Sequence, residues 1–217
     1  TNDAYYEDLS KIFSRLSENA ELFFFMDGFI PEHKYLTWQK RQNSKYSDSI
    51  KVIKKIQEGV SLSEIARTTN TPYVNTMLNV IEAVAIKYGT LKYAVRYECD
   101  QEIAQFASQH WRVLAVFSED TDFLIFKGRW RYFSMRRLNA HTFRTKEYNR
   151  QALRAYINLS DFQMSIWATC LGNDVVPHSS IKKFHDQFKK DKFFEIAELV
   201  RTKCMTFKHY DDLLRYF

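Results

Sequence analysis

The chain has 217 residues, of which 45% are hydrophobic, 16% aromatic and 27% charged. That composition can bury the core of one large domain and excludes a disordered chain. With 5 Gly and 3 Pro a loop-rich all-β design is disfavoured, and the net charge of +6 suits a polyanionic partner.

No apolar run approaches the ~18 residues of a membrane-spanning helix, so no membrane partner is expected. No signal-peptide pattern opens the chain. Cys99, Cys170 and Cys204 lie far apart, are odd in number and form no CxxC. A disulfide framework is therefore not expected, and the chain reads as intracellular, nuclear or cytoplasmic. The six histidines show no metal-ligand spacing.

In chain order, "AYYEDLSKIFSRLSENA" places Tyr5, Leu9, Ile12, Phe13 and Leu16 at helical period. "ELFFFMDG" is a short, unalternating apolar run and predicts a strand buried on both faces, as in a parallel sheet. "PEHKYLTWQKRQNSKYSDSIKVIKKIQEG" predicts a basic helix stopping at Gly59. From Lys34 to Lys55 it carries seven Lys and Arg against Asp48 alone. "SLSEIARTTN" predicts a short helix. "TPYVNTMLNVIEAVAIKYG" predicts a longer one, with Pro72 in its first turn, Gly89 after its last, and Val74, Leu78, Ile81, Ala85 and Tyr88 on one face. "LKYAVRYECD" reads as a strand, "DQEIAQFASQH" as a helix with Ile103, Ala104, Phe106 and Ala107 inward, and "RVLAVFS" as a buried strand. "RWRYFSM" follows a turn at Lys127-Gly128 and reads as a further strand. "LSDFQMSIWATCLG" is a helix with a capping box from Ser160 to Gln163. Helical pattern continues to Phe217. Strands alternating with helices predict a three-layer α/β domain with a mainly parallel sheet.

In such sheets ligands sit beyond the carboxyl ends of the strands. Asp27 ends the first strand, Glu98 and Asp100 end the strand from Leu91, Asp120 and Asp122 follow the strand from Val113, and Asp174 follows the helix ending at Gly172. Each Asp alone is an ordinary turn or cap residue; the repetition at four junctions is what predicts a site. Carboxylates that converged would repel, and an all-oxygen set without His or Cys selects hard cations such as Mg²⁺ or Mn²⁺. Paired ions of that kind suit phosphodiester hydrolysis, one generating hydroxide and the other stabilising the leaving oxygen. Basic stretches, including "GRWRYFSMRR" with Arg129 and Arg131, supply phosphate contacts.

"YECDQEIAQFA", "SEDTDFLIF" and "LGNDVVP", in that order, resemble the internal nuclease region of the flap endonuclease/XPG superfamily, a PIN-like fold, over about residues 20 to 180. The counterpart patterns are E-A-E-A-x-x-A, T/S-x-D-x-D-x-L and L-G-x-D-Y, and "FFFMDG" matches the V-F-D-G element. Within the superfamily, "ELFFFMDGFIPEHKYLTWQKRQ" and "RYFSMRRL" are most similar to the constitutive coactivator of PPAR-gamma family, with Asteroid-type proteins next. The resemblance implies a PIN-like α/β/α domain over 1–177 and a helical extension over 178–217 packed on it. It assigns Asp27, Glu98, Asp100, Asp120, Asp122 and Asp174 to the catalytic set. In the nuclease branch it implies that all but Asp27, which orients ligands, hold metal, as two Mg²⁺ or Mn²⁺ ions. Lys34, Lys40, Arg41, Lys45, Arg129 and Arg131 contact nucleic acid.

Three departures stand beside this. The superfamily's first metal-binding Asp sits on a strand ahead of the helix that "TNDAYYEDL" matches. "VVPHSSIKKFHDQF" has no Gly where duplex-gripping turns are glycine-rich, and Val175 replaces the aromatic of G-x-D-Y. Two readings result. One is a Mg²⁺-dependent nuclease acting on single-stranded or branched DNA or RNA. The other is a catalytically inactive PIN-like RNA-binding or protein-scaffold domain. Neither calls for a small-molecule cofactor.

Overall fold

The computed structural model describes residues 2–68, 75–172 and 180–203. It is a mixed α/β protein that divides into two compact units, Thr1–Cys99 and Asp100–Phe217. Among the described residues no helix is long and apolar enough to cross a membrane.

The first unit opens with α1 (Asn2–Ser17), followed by β1 (Phe23–Asp27). A single 3₁₀ turn at Glu32–Lys34 leads into α2 (Tyr35–Gln57), then α3 (Leu62–Thr68), α4 (Asn75–Tyr88) and β2 (Thr90–Ala94). β1 and β2 pair in parallel, from Phe23 opposite Thr90 to Asp27 opposite Ala94. The parallel pairing matches the sequence reading, but β1 is half-buried along its middle and exposed at both ends, not buried on both faces. The reason is that β2 is its only sheet partner among the described residues. α1 packs on α4, and Phe13 sets the edge of its ring against Phe24 at 4.9 Å. On α4 the buried positions are Val84 and Ala85, while Leu78 is exposed. Pro72 and Val74 lie outside the described residues.

Just past β1, an ideal Cβ on Gly28 would come within 2.7 Å of the Ala94 carbonyl oxygen. Gly is required there by close backbone approach.

In the second unit α5 (Cys99–Gln109) buries Ala104 and Ala107. β3 (Ala115–Ser118) pairs in parallel with β4 (Arg131–Ser134), and β4 pairs antiparallel with β5 (Glu147–Tyr148). One core gathers Ala104, Ala107, Val116, Phe123 and Tyr132, with Trp130 packed against it. A second gathers α6 (Arg150–Ile157), α7 (Asp161–Leu171) and α9 (Lys192–Lys203) around Met164, Trp167 and Ile196. The short α8 (Lys182–His185) adds Phe184 to its edge. The capping box of α7 is present in both directions: Gln163 N donates to Ser160 Oγ at 3.2 Å, and Ser160 N donates to Gln163 Oε1 at 2.9 Å. Cys99 and Cys170 are free thiols.

Candidate acidic site and basic surfaces

The stretch after β3 explains how carboxylates can follow an apolar run. Val116 faces the core, Ser118 ends the strand, and Asp120 caps a 3₁₀ turn over Thr121–Leu124. The Asp122 amide donates to Asp120 Oδ1 at 3.0 Å, and the Asp120 amide donates to Ser118 Oγ at 3.1 Å. Phe123, 2% exposed, anchors the turn in the core while Asp120 and Asp122 stay in solvent. The 3₁₀ period therefore separates one buried ring from its acidic neighbours.

Two further groups fix this turn. The Tyr132 hydroxyl donates to the Asp120 carbonyl at 2.8 Å. Burial, then the nearby Glu119 charge, pushes the Tyr132 phenol up to about 12. Glu119 accepts from Ser134 Oγ and from the Arg136 amide, each at 2.6 Å. Those bonds, the Ser134 hydroxyl first, hold its carboxyl below the usual range. Glu119 thus ties the end of β3 to the end of β4.

Asp100, Asp120 and Asp122 come together, with one carboxylate oxygen from each within 4.8 Å of the others. Asp100 sits in the first turn of α5, where its Oδ1 accepts from the Gln101 amide at 2.8 Å. All three donors are hard oxygens, so the set fits a Mg²⁺ or Mn²⁺ class of ion. It does not require one. Asp120 and Asp122 are exposed and Asp100 half-buried. At near-water dielectric each pair repels by only about 1 kcal/mol, less in salt.

Asp27 and Glu98 belong to the first unit. Asp27 is exposed at the end of β1. Glu98 lies past the end of β2, and its Oε2 accepts from Lys34 Nζ at 2.5 Å, with both side chains 20% exposed. Two residues assigned to different roles, one to metal and one to phosphate, meet each other instead. Asp174 lies outside the described residues.

Of the expected phosphate contacts, Lys40, Arg41 and Lys45 are exposed along α2, and Arg129 is exposed ahead of β4. Arg131 pairs with Glu147 through two guanidinium nitrogens, one of them Nε at 3.0 Å, and stacks over Phe133 at 4.9 Å. Trp130 packs toward the core, whereas Trp38 is exposed and stacks on Tyr35 at 5.8 Å. Sequence reasoning missed Trp111, which is 84% exposed beside the Arg112 guanidinium at 5.9 Å. The signal was "HWR", a Trp-Arg pair in the short polar link between α5 and β3. It also left Glu119 without a role, although Glu119 stands inside the motif.

No family model matches the chain. Three mammalian proteins named constitutive coactivator of peroxisome proliferator-activated receptor gamma are similar to it. The mouse protein is 28% identical over 169 residues, 77% of this chain and 21% of its own length. The human protein is 28% identical over 181 residues, covering 82% and 19%, and the cattle protein 26% over 182 residues, covering 83% and 25%. This is a distant family link. The chain spans about a fifth to a quarter of the length of the curated relatives it matches.

Proposed function

We propose that this chain is a PIN-like, three-layer domain of the constitutive coactivator type that binds single-stranded RNA without cutting it. Residues 1–177 form the domain and 178–217 its helical extension, and it works inside the cell, in nucleus or cytoplasm. The observation that carries this reading is the Lys34–Glu98 ion pair. An ammonium holds the carboxylate that a nuclease of this pattern would give to a metal, so part of the acidic set serves the scaffold. Asp120 and Asp122 lie in solvent and Asp100 is only half-buried, so their mutual repulsion is small and the cluster does not by itself require an ion. Lys40, Arg41, Lys45 and Arg129 supply phosphate contacts, and exposed Trp111 and Trp38 supply stacking faces. The names of the relatives fit a binding protein better than a hydrolase.

The experiment is titration of labelled oligouridine at several salt concentrations. Phosphate contacts give a linear loss of log affinity with log salt, about 0.7 per contact for a single strand. Replacing Lys40, Arg41 and Lys45 together by Ala should flatten that slope; an unchanged slope rejects α2 as the RNA surface.

A second reading, a metal-dependent nuclease, is favoured by the convergence of Asp100, Asp120 and Asp122. These residues would hold a Mg²⁺ or Mn²⁺ ion, Glu98 and Asp174 being the further metal candidates and Asp27 the one that would orient ligands. The ions would supply a hydroxide and stabilise the leaving oxygen on a single-stranded or branched substrate. Cleavage by the wild type that is lost in Asp120→Asn with Asp122→Asn would select this reading.

A further inference from the structure

The 23 residues of α2 include none that is buried. Helices of globular proteins owe most of their stability to packing an apolar face, so a long helix with no buried side chain calls for explanation. Successive residues turn by about 100°. On that wheel Tyr35, Trp38, Tyr46, Ile50, Ile53 and Ile56 fall on about one third of the circumference. All six are exposed, Tyr46 at 66%, Ile50 and Ile53 at 53% and Ile56 at 50%. Lys40, Lys51 and Lys55 fall on the opposite side, and Lys45 and Lys54 flank the stripe on its two edges. The neighbouring helix does not cover the stripe. Lys55 Nζ donates to Thr68 Oγ1 of α3 at 2.9 Å, which places α3 on the basic side.

We propose that this stripe is a docking face for an acidic amphipathic helix of a partner protein. Its occupant follows from four features. The stripe is about 32 Å long at 1.5 Å per residue, the length of a helix-on-helix contact. Its edges carry lysines, so acidic flanks on the partner are favoured and a second copy of this chain, with the same lysines, is disfavoured. Gln42 and Ser49 lie within the stripe. Polar seam residues fix register between helices but oppose insertion into a bilayer. Finally, Ile50, Ile53 and Ile56 offer no π-face, so the carboxyl-terminal half of the stripe does not suit stacked bases. The inference does not depend on the chain's binding RNA, since Ile50, Ile53, Ile56 and Lys54, the carboxyl-terminal half of the stripe, are none of the residues assigned to RNA; Trp38 and Lys45 alone are shared.

The test uses the whole chain and a labelled helical peptide of about 20 residues, with Leu at i, i+3, i+4 and i+7 and Glu on both flanks. The control peptide has the same composition in scrambled order. Fluorescence anisotropy should show the ordered peptide binding about tenfold tighter or better. Ile50→Ser with Ile53→Ser should erase that difference while leaving the circular dichroism unchanged, because both side chains are exposed. Lys45→Glu with Lys54→Glu should weaken the acidic peptide and spare a version with Gln in place of Glu. Equal binding of ordered and scrambled peptides overturns the proposal. So does an isoleucine variant that keeps the discrimination. If that variant instead loses binding to phosphatidylserine vesicles or oligouridine, or loses a concentration-dependent dimer, the face belongs to a membrane, RNA or a second copy, and the proposal fails.

Discussion

Tyr132→Phe isolates one bond that positions the acidic turn. The ring is buried at 4% exposure and packs 5.6 Å from Phe123, so Phe retains the packing and loses only the hydroxyl. That hydroxyl donates to the Asp120 carbonyl at 2.8 Å. A net hydrogen bond contributes about 1 kcal/mol, and an abandoned buried carbonyl adds roughly 1–3 kcal/mol. Asp120 is exposed, so water reaches the carbonyl and the expected loss stays at the lower end, about 1 kcal/mol. Urea unfolding should show that decrease. Alkali gives an independent readout. The folded phenol titrates at about 12 rather than 10.0. The native state therefore holds this proton longer than the unfolded chain. Its contribution to stability is complete below about 10 and declines as pH rises towards about 12. The wild type should lose stability over that window more steeply than Tyr132→Phe, and tyrosinate absorbance should show one fewer late-titrating group in the variant. A variant as stable as wild type with the same alkaline profile would refute the bond and its role in the turn.

Other outcomes follow from the same geometry. Asp161 accepts from Arg150 at 2.7 Å and Arg154 at 3.0 Å, and these hydrogen bonds lower its carboxyl to about 2. Its stabilising contribution is present above about 4 and lost as pH falls towards about 2, so Asp161→Asn should flatten acid unfolding in that window; an identical acid limb would contradict the pairing. A double-mutant cycle on Lys34→Met and Glu98→Gln should give a coupling of about 1 kcal/mol, modest because both side chains are partly exposed; zero coupling would remove the ion pair as a structural element. Gly28→Ala should cost about 1–3 kcal/mol, because the new methyl meets the Ala94 carbonyl and the β1–β2 pair must shift. Thermal melts that match wild type would reject that approach. Isothermal titration with Mn²⁺ should show weak binding that Asp120→Asn with Asp122→Asn removes; unchanged heats in the variant would disconnect the cluster from metal.

Much of the secondary structure was legible because single periods dominated. The α7 capping box and the apolar faces of α1 and α5 read directly, and the strands β1 and β3 stood out as aromatic or aliphatic runs. Asp100, Asp120 and Asp122 were legible because polar residues just past a strand have few places to go. What the sequence hid were interactions between distant segments. Lys34 and Glu98 are separated by 64 positions, and local composition gave one to phosphate and the other to metal. Arg131 likewise found Glu147 on a two-residue strand too short to carry a period. α6 went unread: its eight residues span barely two turns. Trp130, which packs toward the core, and Trp111, which does not, could not be told apart, since nothing local distinguishes a tryptophan that meets the core from one that does not.

Binding without cleavage is tested most directly on one gel. End-labelled single-stranded RNA is incubated with excess protein in Mn²⁺, then half is run native and half denatured. The expected result is a retarded native band and a full-length denatured strand. Fragments that wild type produces and Asp120→Asn with Asp122→Asn does not would contradict it and make the acidic cluster a working metal centre.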